Sequence, residues 1–500
     1  MHNLLRKINA RNIAYLYILL PIIIFMLGWM RPYFGVPCTI VVVVAFLRMC
    51  RDDFDQRIHW NIENILSFLV CLILIFAIVI FSGIGGLTYQ NLDHLYRNEI
   101  YEVLVKCDWP VYFSKTTGNH TARIGLCYYI GFWLPAAIVG KLFGVSAGYL
   151  FQILYAVIGL TLVAYFFFAY YKKVSFWQLL SFFFFSGLDI VGYLITHNGA
   201  TPMFIGHPDW WVEIFEYSSF TTQLFWVYNQ AIFAWLVTQL LFIQENNRYV
   251  FLIWSSLLLT GTLPCAGLFP YIIYIVAKNI SKCQGKTLSI ELREILSIDN
   301  ILGGGVIGVV SFLYLFSNNA VSASSSLFAL HNRRELILYI AFILLEVGIY
   351  LLIIYNKKYK SKLYWLTAVI LCIYPLIQVG ESHDFCMRAS IPALLILYVM
   401  VFDTLQEYRT EHNYLKFAAL AVILSIGAIT PAMEFNRTIY TEFSFNQYTS
   451  YDIFKGTTKD GEQELFMIDK RECASDDDLI KNINFTCDIN NNAFYKYLSR

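Results

Sequence analysis

Long apolar stretches recur along almost the whole of this 500-residue chain. A helix needs about 20 apolar residues to cross a bilayer, and only helices or closed barrels satisfy their backbone groups in lipid. Stretches of suitable length lie near residues 13–30, 35–50, 64–82, 124–144, 147–170, 176–196, 222–243, 249–278, 301–316, 335–355, 363–380, 389–406 and 416–433. The chain is therefore predicted to be an all-α polytopic membrane protein.

Composition agrees with that fold class and argues against several functions. Hydrophobic residues make up 58% of the chain and charged residues 14%, against about 45–50% and about 25% in soluble domains. A net charge of +1 with no dense basic run gives no support for nucleic-acid binding. The chain carries no P-loop or dinucleotide fingerprint, and no predicted inside loop is large enough for a nucleotide-binding domain.

The number of spans depends on how one stretch behaves. Glycine and proline interrupt 249–278, which forms either one broken helix or a hairpin of two. The expected total is about 11 to 14 transmembrane helices. Lys172 and Lys173 break the alternation that the other basic loops follow. That break indicates a short or re-entrant segment within 124–196.

Basic residues in short loops predict the orientation. The N-terminus is placed inside, and the loops 83–123 and 197–220 are placed outside. The transmembrane domain is predicted to cover 1–433, followed by a small polar extracytoplasmic tail over 434–500. Cys473 and Cys487 lie in that tail, and whether they pair stays open.

The first predicted outer loop gathers ionisable residues between apolar stretches. A helix over 92–107 would carry two faces of different polarity and would lie on the membrane surface. Its apolar stripe consists of Leu92, Leu95, Tyr96, Ile100, Val103 and Cys107. The opposite face consists of His94, Arg97, Asn98 and Tyr101.

Two acids in this helix are candidates for catalysis. Asp93 lies four residues before Arg97, at the border of the two faces. Glu99 falls within the apolar stripe, where a carboxylate must face a polar cavity or be protonated. The alternative is that Asp93 and Arg97 form a surface pair of little energetic weight, with Glu99 capping a neighbour.

A second concentration of polar and aromatic residues occupies 196–230. Aromatic faces and a few placed polar groups are typical of binding sites for small polar molecules. The candidate substrate-binding residues here are His207, Asp209, Trp210, Glu213, Asn229 and Gln230. The tryptophans could instead form an interfacial belt, and the amides could join helices. The spacing of His197 and His207 matches no strong metal motif.

A third group lies in the short predicted outer turn 381–388. Five ionisable residues in so tight a turn are costly at a membrane boundary unless they are paired or functional. Arg388 could hold a phosphate oxygen through charge-assisted hydrogen bonds, with Asp384 contacting substrate. The alternative is a local structural pair between Asp384 and Arg388.

These motifs carry a resemblance to a known superfamily. In order they are Asp93 through Asp108-Trp109-Pro110, Tyr128-Tyr129 with Leu134-Pro135-Ala136, Lys141-Leu142-Phe143-Gly144, Tyr171-Lys172-Lys173, and His383 through Ala393. Their order over about residues 60–400 resembles the GT-C superfamily of membrane glycosyltransferases, in particular protein mannosyltransferase and aminoarabinose transferase relatives.

The resemblance implies an enzyme of a bacterial cytoplasmic (inner) membrane with an outward-facing site. It would take a sugar from a polyprenyl-phosphate donor, with inversion, and pass it to a glycan, lipid or protein acceptor. A first-loop carboxylate would act as base, and Asp93 matches that position best. His94 stands where a second acid is common, which leaves Glu99 as a rival.

The resemblance also implies roles for other residues. Arg388, Arg123 and Arg97 would bind the donor phosphate, and Asn98, Glu102 and the polar residues of the second loop would bind substrate. Many members use a divalent metal ion, but this chain shows no clear ligand set, so no cofactor is assigned.

Two other function classes stay open. An O-antigen-type polymerase or ligase is also multispanning but relies more on outer-loop arginine and histidine residues. A glycolipid transporter or flippase predicts inverted repeats and charges near mid-membrane, whereas here the charges cluster towards one face.

Overall fold

The computed structural model describes residues 9–51, 58, 60–117, 120–202, 206–282, 286–316, 318, 330–379, 384–445 and 485–500. The protein is an all-α polytopic membrane protein, as predicted. The first elements are α1 (Ala10–Trp29), α2 (Pro32–Met49), α3 (Ile62–Phe81), α4 (Leu92–Lys106), β1 (Tyr112–Thr117), β2 (His120–Leu126), α5 (Leu134–Phe143), α6 (Val145–Tyr171), α7 (Phe176–Phe183) and α8 (Asp189–Thr196).

The second half of the chain continues the bundle. Its elements are α9 (Phe220–Phe242), α10 (Val250–Ser255), α11 (Thr262–Ser281), α12 (Lys286–Ile295), α13 (Gly305–Leu315), α14 (Arg333–Ile343), α15 (Ile349–Lys358), α16 (Lys362–Ile373), α17 (Asp384–Ala389), α18 (Ile391–Thr410), α19 (Tyr414–Gly427), α20 (Ile429–Phe445) and β3 (Thr486–Asp488). Asparagine begins several helices, since its short side chain accepts from the backbone N–H of the first turn, as Asn91 does from His94.

Ten helical segments of the described chain are long and apolar enough to cross a membrane, and two shorter apolar segments accompany them. The sequence predicted a span over 176–196, but α7 and α8 are only eight residues each and a turn separates them. The stretch 249–278 is the hairpin-like pair α10 and α11. The short helices α7 and α8 lie within 124–196, where a short or re-entrant segment was expected.

Helix α9 is the centre of the bundle. Of its most apolar window, 89% is buried, against 22% for α3. It contacts α1, α6, α11, α18 and α20. A helix surrounded on all sides needs no lipid-facing stripe, which is why polar residues such as Gln223 and Asn229 occur among its apolar ones.

The path of α9 breaks at Val227, whose φ of −136° and ψ of 36° are not helical. The Phe225 carbonyl lies two residues before this break, and two side chains from outside α9 contact it. Asn91 Nδ2 donates to it at 3.0 Å, and His94 Nε2 lies 2.9 Å from it. Both donors belong to the start of α4, so these contacts anchor that helix to the bundle.

Helix α4 begins at the predicted Leu92 and ends at Lys106, one residue before the predicted end, and its polar face packs inward together with Ile100 of the apolar stripe. His94, Arg97, Asn98 and Tyr101 are buried. Leu92 of the predicted apolar stripe is 62% exposed, and the side chain of Leu95 lies outside the described part. The bundle offers hydrogen-bond acceptors to the polar face, and an exposed apolar side chain costs little next to lipid.

The C-terminal segment closes a small antiparallel sheet of order β1-β2-β3. Its last residues reach the end of α1, where Arg500 N donates to the Trp29 carbonyl at 3.0 Å, and Arg31 N after that helix donates to the Leu498 carbonyl at 2.8 Å. Helix α20 runs past the predicted domain boundary at 433 to Phe445, and Glu434 and Arg437 are buried within it. Cys473 lies outside the described residues, and Cys487 is within hydrogen-bonding reach of Cys127.

Close packing of α4 on α6 gives a test of this fold. A Cβ at Gly148 would lie 1.8 Å from Tyr101 Oη, whereas one at Gly308 of α13 would meet nothing within 4 Å. Gly148→Ala is expected to lower the free energy of unfolding by about 1–3 kcal/mol through overpacking. Gly308→Ala should be neutral or stabilising by up to about 1 kcal/mol. Thermal unfolding of the purified proteins in detergent measures the difference, and equal midpoints would contradict this packing.

Candidate functional site

An ion pair on α4 forms one half of the candidate site. Arg97 Nη2 donates to Asp93 Oδ2 at 2.8 Å, across one helical turn. The Arg97 side chain is 5% exposed and Asp93 36%. The guanidinium lies over the Tyr228 ring, 5.4 Å from its centre. Its Nη1 atom is buried and has no hydrogen-bond partner among the residues that the structure describes.

Arg388 on α17 forms the other half. It binds the Asp384 carboxylate at 3.0 Å and donates through Nη1 to Tyr129 Oη at 2.5 Å. Its buried Nε atom has no hydrogen-bond partner in the described part of the chain. Burial acts to lower the pKa of Arg388, but the charge of Asp384 and, more weakly, of Asp93 raises it above its ordinary value. Arg388 therefore stays cationic.

Tyrosine rings join the two halves. The rings of Tyr128 and Tyr129 lie 3.7 Å apart between centres. Burial raises the pKa of Tyr128, whereas the charges of Arg388 and Arg97 lower it, so both guanidinium groups lie near this phenol. We call the group formed by Asp93, Arg97, Tyr128, Tyr129, Tyr228, Asp384 and Arg388 the arginine–tyrosine site.

The residues of the arginine–tyrosine site offer defined chemistry. One partly exposed carboxylate, Asp93, pairs with Arg97, and its charge also acts on Arg388. Each of these two cations has a buried N–H group that is available to an anion. The aromatic rings give flat apolar surfaces next to these charges. Such a site suits an anionic substrate that also carries a ring and a hydroxyl group.

A second cluster of side chains lies near Trp226 of α9. Ligand atoms of His207, Asp209 and Glu434 all lie within 4.8 Å of one another, and we call these three residues the acidic cluster. Arg437 Nη1 donates to both oxygens of Glu434 at 2.8 Å. Trp226 Nε1 donates to Glu434 Oε2 at 3.1 Å, which ties the cluster to α9.

Further buried carboxyl groups surround the acidic cluster. Burial, and next the charge of Asp209, raises the pKa of Asp189 to about 6 and that of Glu216 well above its usual range. Burial also raises the pKa of Asp209 itself. Burial and the charge of Arg437 lower the pKa of His207 to about 4, so its imidazole is neutral near pH 7. The acidic cluster is where the described residues could hold a metal ion.

The structure brings some of the predicted site residues together. Asp93, Arg97, Asp384 and Arg388 meet in the arginine–tyrosine site, and His207 and Asp209 meet in the acidic cluster. Glu99 is half-buried on α4, about 120° around the helix from Asp93. The backbone of Arg123 lies in β2, but its side chain lies outside the described part of the structure.

The remaining predicted site residues either bond to neighbouring side chains and backbone groups or are enclosed within the helical bundle. Asn98 Nδ2 donates to Gln90 at 2.7 Å, and Glu102 accepts from Lys106 and from Tyr149 Oη. Trp210 is 57% exposed and donates to the carbonyl of Glu213. Asn229 and Gln230 are fully enclosed in the bundle, with no hydrogen-bond partner among the described residues.

Sequence reasoning missed four of the buried charged residues. Glu434 and Arg437 were assigned to the tail, and Asp189 and Glu346 were taken as parts of apolar spans. A lone acid inside a predicted span is itself a functional signal, because it must be paired, protonated or bound to an ion. That signal would have drawn attention to Asp189 and Glu346.

Comparison with family models, with curated proteins and with solved structures finds no match for this chain. The likeness to GT-C glycosyltransferases therefore stays a prediction. The geometry of the arginine–tyrosine site carries the functional proposal.

The buried histidine of α4 predicts a pH dependence. Burial and the charge of Arg97 lower the pKa of His94 to about 3, against 6.5 in the unfolded chain. Protons therefore bind the unfolded state more tightly, so stability is complete above about pH 6.5 and falls as the pH drops below it. From pH 7.5 to pH 5.5 the wild type should lose about 1 kcal/mol more than His94→Asn. Thermal unfolding of both proteins at both pH values measures this, and equal losses would contradict it.

Proposed function

We propose that this protein is a membrane glycosyltransferase. It transfers a sugar from a polyprenyl-phosphate-linked donor to a cell-envelope acceptor at the outer face of a bacterial cytoplasmic membrane. The observation that carries the proposal is the partly exposed Asp93 carboxylate paired with the buried Arg97, together with the mostly buried Arg388 paired with Asp384. Each arginine has a buried N–H group that has no partner among the described residues.

The two arginines would bind the donor phosphate. Arg97 Nη1 and Arg388 Nε are buried, and a buried N–H without an acceptor costs about 1–3 kcal/mol, more in a charged group. A phosphate oxygen accepts charge-assisted hydrogen bonds from both, which removes that cost. The same contacts stabilise the negative charge that develops on the lipid phosphate as it leaves.

Asp93 would act as the base on the acceptor hydroxyl. Its Oδ2 atom binds Arg97, and Oδ1 accepts no hydrogen bond within the described part of the chain, so it is available to a hydroxyl group. The hydroxyl oxygen forms the new bond to the anomeric carbon while the bond from that carbon to the phosphate oxygen breaks. The proton passes to Asp93, and attack from the side opposite the phosphate inverts the anomeric centre.

The tyrosines would orient the sugar. The paired rings of Tyr128 and Tyr129 lie next to Arg388, where a donor sugar attached to the bound phosphate would lie. An aromatic face excludes water from one side of the ring, and the phenol groups bind hydroxyls. Glu99 is a weaker candidate for the base, since it lies on another side of α4 from Asp93.

Separate substitution of Asp93 and Glu99 shows which of the two acts as the base. Asp93→Asn is expected to lower transfer from a labelled polyprenyl-phosphate sugar in membranes by about 10²–10⁴-fold, the usual contribution of a general base. Glu99→Gln should stay within a few fold of wild type. The matched control is Glu411→Gln, since Glu411 is an exposed acid that pairs with Lys357 as Asp93 pairs with Arg97. If the Asp93→Asn variant transferred the sugar at the wild-type rate, the assignment of Asp93 as the base would be wrong.

Loss of the phosphate contact should appear in the donor kinetics. Arg388→Gln is expected to lower kcat/KM for the lipid donor by about 10–100-fold, because a hydrogen bond to a charged group contributes about 1.5–3 kcal/mol. The control is Arg409→Gln, an exposed arginine at the end of α18. Initial rates at varied donor and fixed acceptor measure the effect. An unchanged kcat/KM for the donor would remove Arg388 from the phosphate site.

A further inference from the structure

We propose that His207, Asp209 and Glu434 bind one divalent metal ion of the Zn²⁺ or Mn²⁺ kind. One imidazole and two carboxylates are ligands that these ions accept. The inference does not rest on the glycosyltransferase proposal, because none of the three residues belongs to the arginine–tyrosine site.

The geometry of the three side chains suits an ion. Their ligand atoms lie within 4.8 Å of one another. Ligands bonded at 2.0–2.2 Å to one ion lie about 3–4 Å apart, so small side-chain adjustments would complete the coordination. His207 is 38% exposed while Glu434 is 2% exposed, so an ion could enter past the imidazole. A water molecule could occupy the open side of the ion.

An unpaired oxygen supports the site independently. Asp209 is 2% exposed, and its Oδ2 atom has no hydrogen-bond partner among the residues described. A buried carboxylate oxygen without a donor is costly, and a metal ion is one of the few partners that offset the cost. His207 Nδ1 lies 3.9 Å from Glu434 Oε1, so an unprotonated imidazole would present its lone pair towards that carboxylate.

The charge balance points the same way. The charge of Asp209 acts on four other carboxyl groups, those of the buried Asp189, Glu346 and Glu434 and of the half-buried Glu216. Arg437 donates to both oxygens of Glu434, and its single positive charge also acts on Asp209. A divalent cation bound to Asp209 would balance the excess at its centre.

Arg437 does not prevent coordination of Glu434. Each carboxylate oxygen has two lone pairs, so an oxygen that accepts from Arg437 can still bind an ion. Arg437 Nη2 also donates to the Gly206 carbonyl at 2.6 Å, next to His207. Arg437 would therefore orient Glu434 and the loop of His207 together, as outer groups around metal sites do.

Metal content and thermal stability of the full-length protein test the proposal. The protein is purified in detergent, treated with a chelator and dialysed against Zn²⁺, Mn²⁺ or Mg²⁺. Elemental analysis should find about one Zn²⁺ or Mn²⁺ per chain and no retained Mg²⁺, and the unfolding temperature should rise with the retained ion. If the wild-type protein binds no ion, the proposal is wrong, and the buried carboxylates must instead be neutralised by protons.

Variants assign the ligands. Asp209→Asn and His207→Ala are expected to weaken ion binding at least tenfold and to lose the thermal shift. Glu434→Gln leaves Arg437 without its carboxylate and could fail to fold, so the partly exposed His207 is the decisive position. His197→Ala is the matched histidine control, since His197 is exposed and stacks on Tyr193. Full ion binding by His207→Ala and Asp209→Asn would also overturn the site.

One further variant separates this proposal from the glycosyltransferase proposal. Asp93→Asn should retain the ion and its thermal shift, whatever its effect on transfer. Loss of the ion in Asp93→Asn would contradict a site confined to the acidic cluster. Ion binding without glycan transfer would leave the metal site standing and count against the proposed enzyme activity alone.

Discussion

The carbonyl of Phe225, beside the break in α9, is the contact point on which the candidate site depends. Lipid cannot satisfy a backbone acceptor, so its donors must come from the protein. Asn91 and His94 supply the two donors, at 3.0 and 2.9 Å. Because Phe225 accepts only, His94 Nε2 must carry the proton, and the imidazole is held neutral. Asp93 and Arg97 are placed on the bundle by these two contacts.

Both clusters are built around the same break. Tyr228, just after Val227, stacks on His94 and lies under Arg97. Trp226, just before it, donates to Glu434 of the acidic cluster. In a straight helix the side chains of residues 226 and 228 would also point about 200° apart, but the backbone carbonyls would accept from N–H groups of the same helix. In α9 the two aromatic side chains lie on different sides of the helix, and the Phe225 carbonyl beside the break accepts the hydrogen bonds that hold α4.

The sequence predicts the fold class well because lipid leaves few choices. Apolar stretches of about 20 residues can only be helices there, and the bounds of α4 follow from its capping asparagine and its period. The buried face of α4 could not be predicted, because it depends on the break at Val227, which arises from packing. The extension of α20 past 433 was missed for a related reason. Glu434 and Arg437 resemble a polar tail locally, but each is the partner that lets the other be buried.

The two clusters also constrain each other electrically. In the arginine–tyrosine site the charges of Arg97 and Arg388 are matched by Asp93 and Asp384, so a bound phosphate adds uncompensated negative charge. The acidic cluster, which shares α9 with it, holds several carboxyl groups for one arginine. Fully ionised, those carboxylates would repel the phosphate at low dielectric. If the arginine–tyrosine site binds an anion, neutralisation of the acidic cluster would weaken this repulsion, and a bound cation would do so without depending on pH.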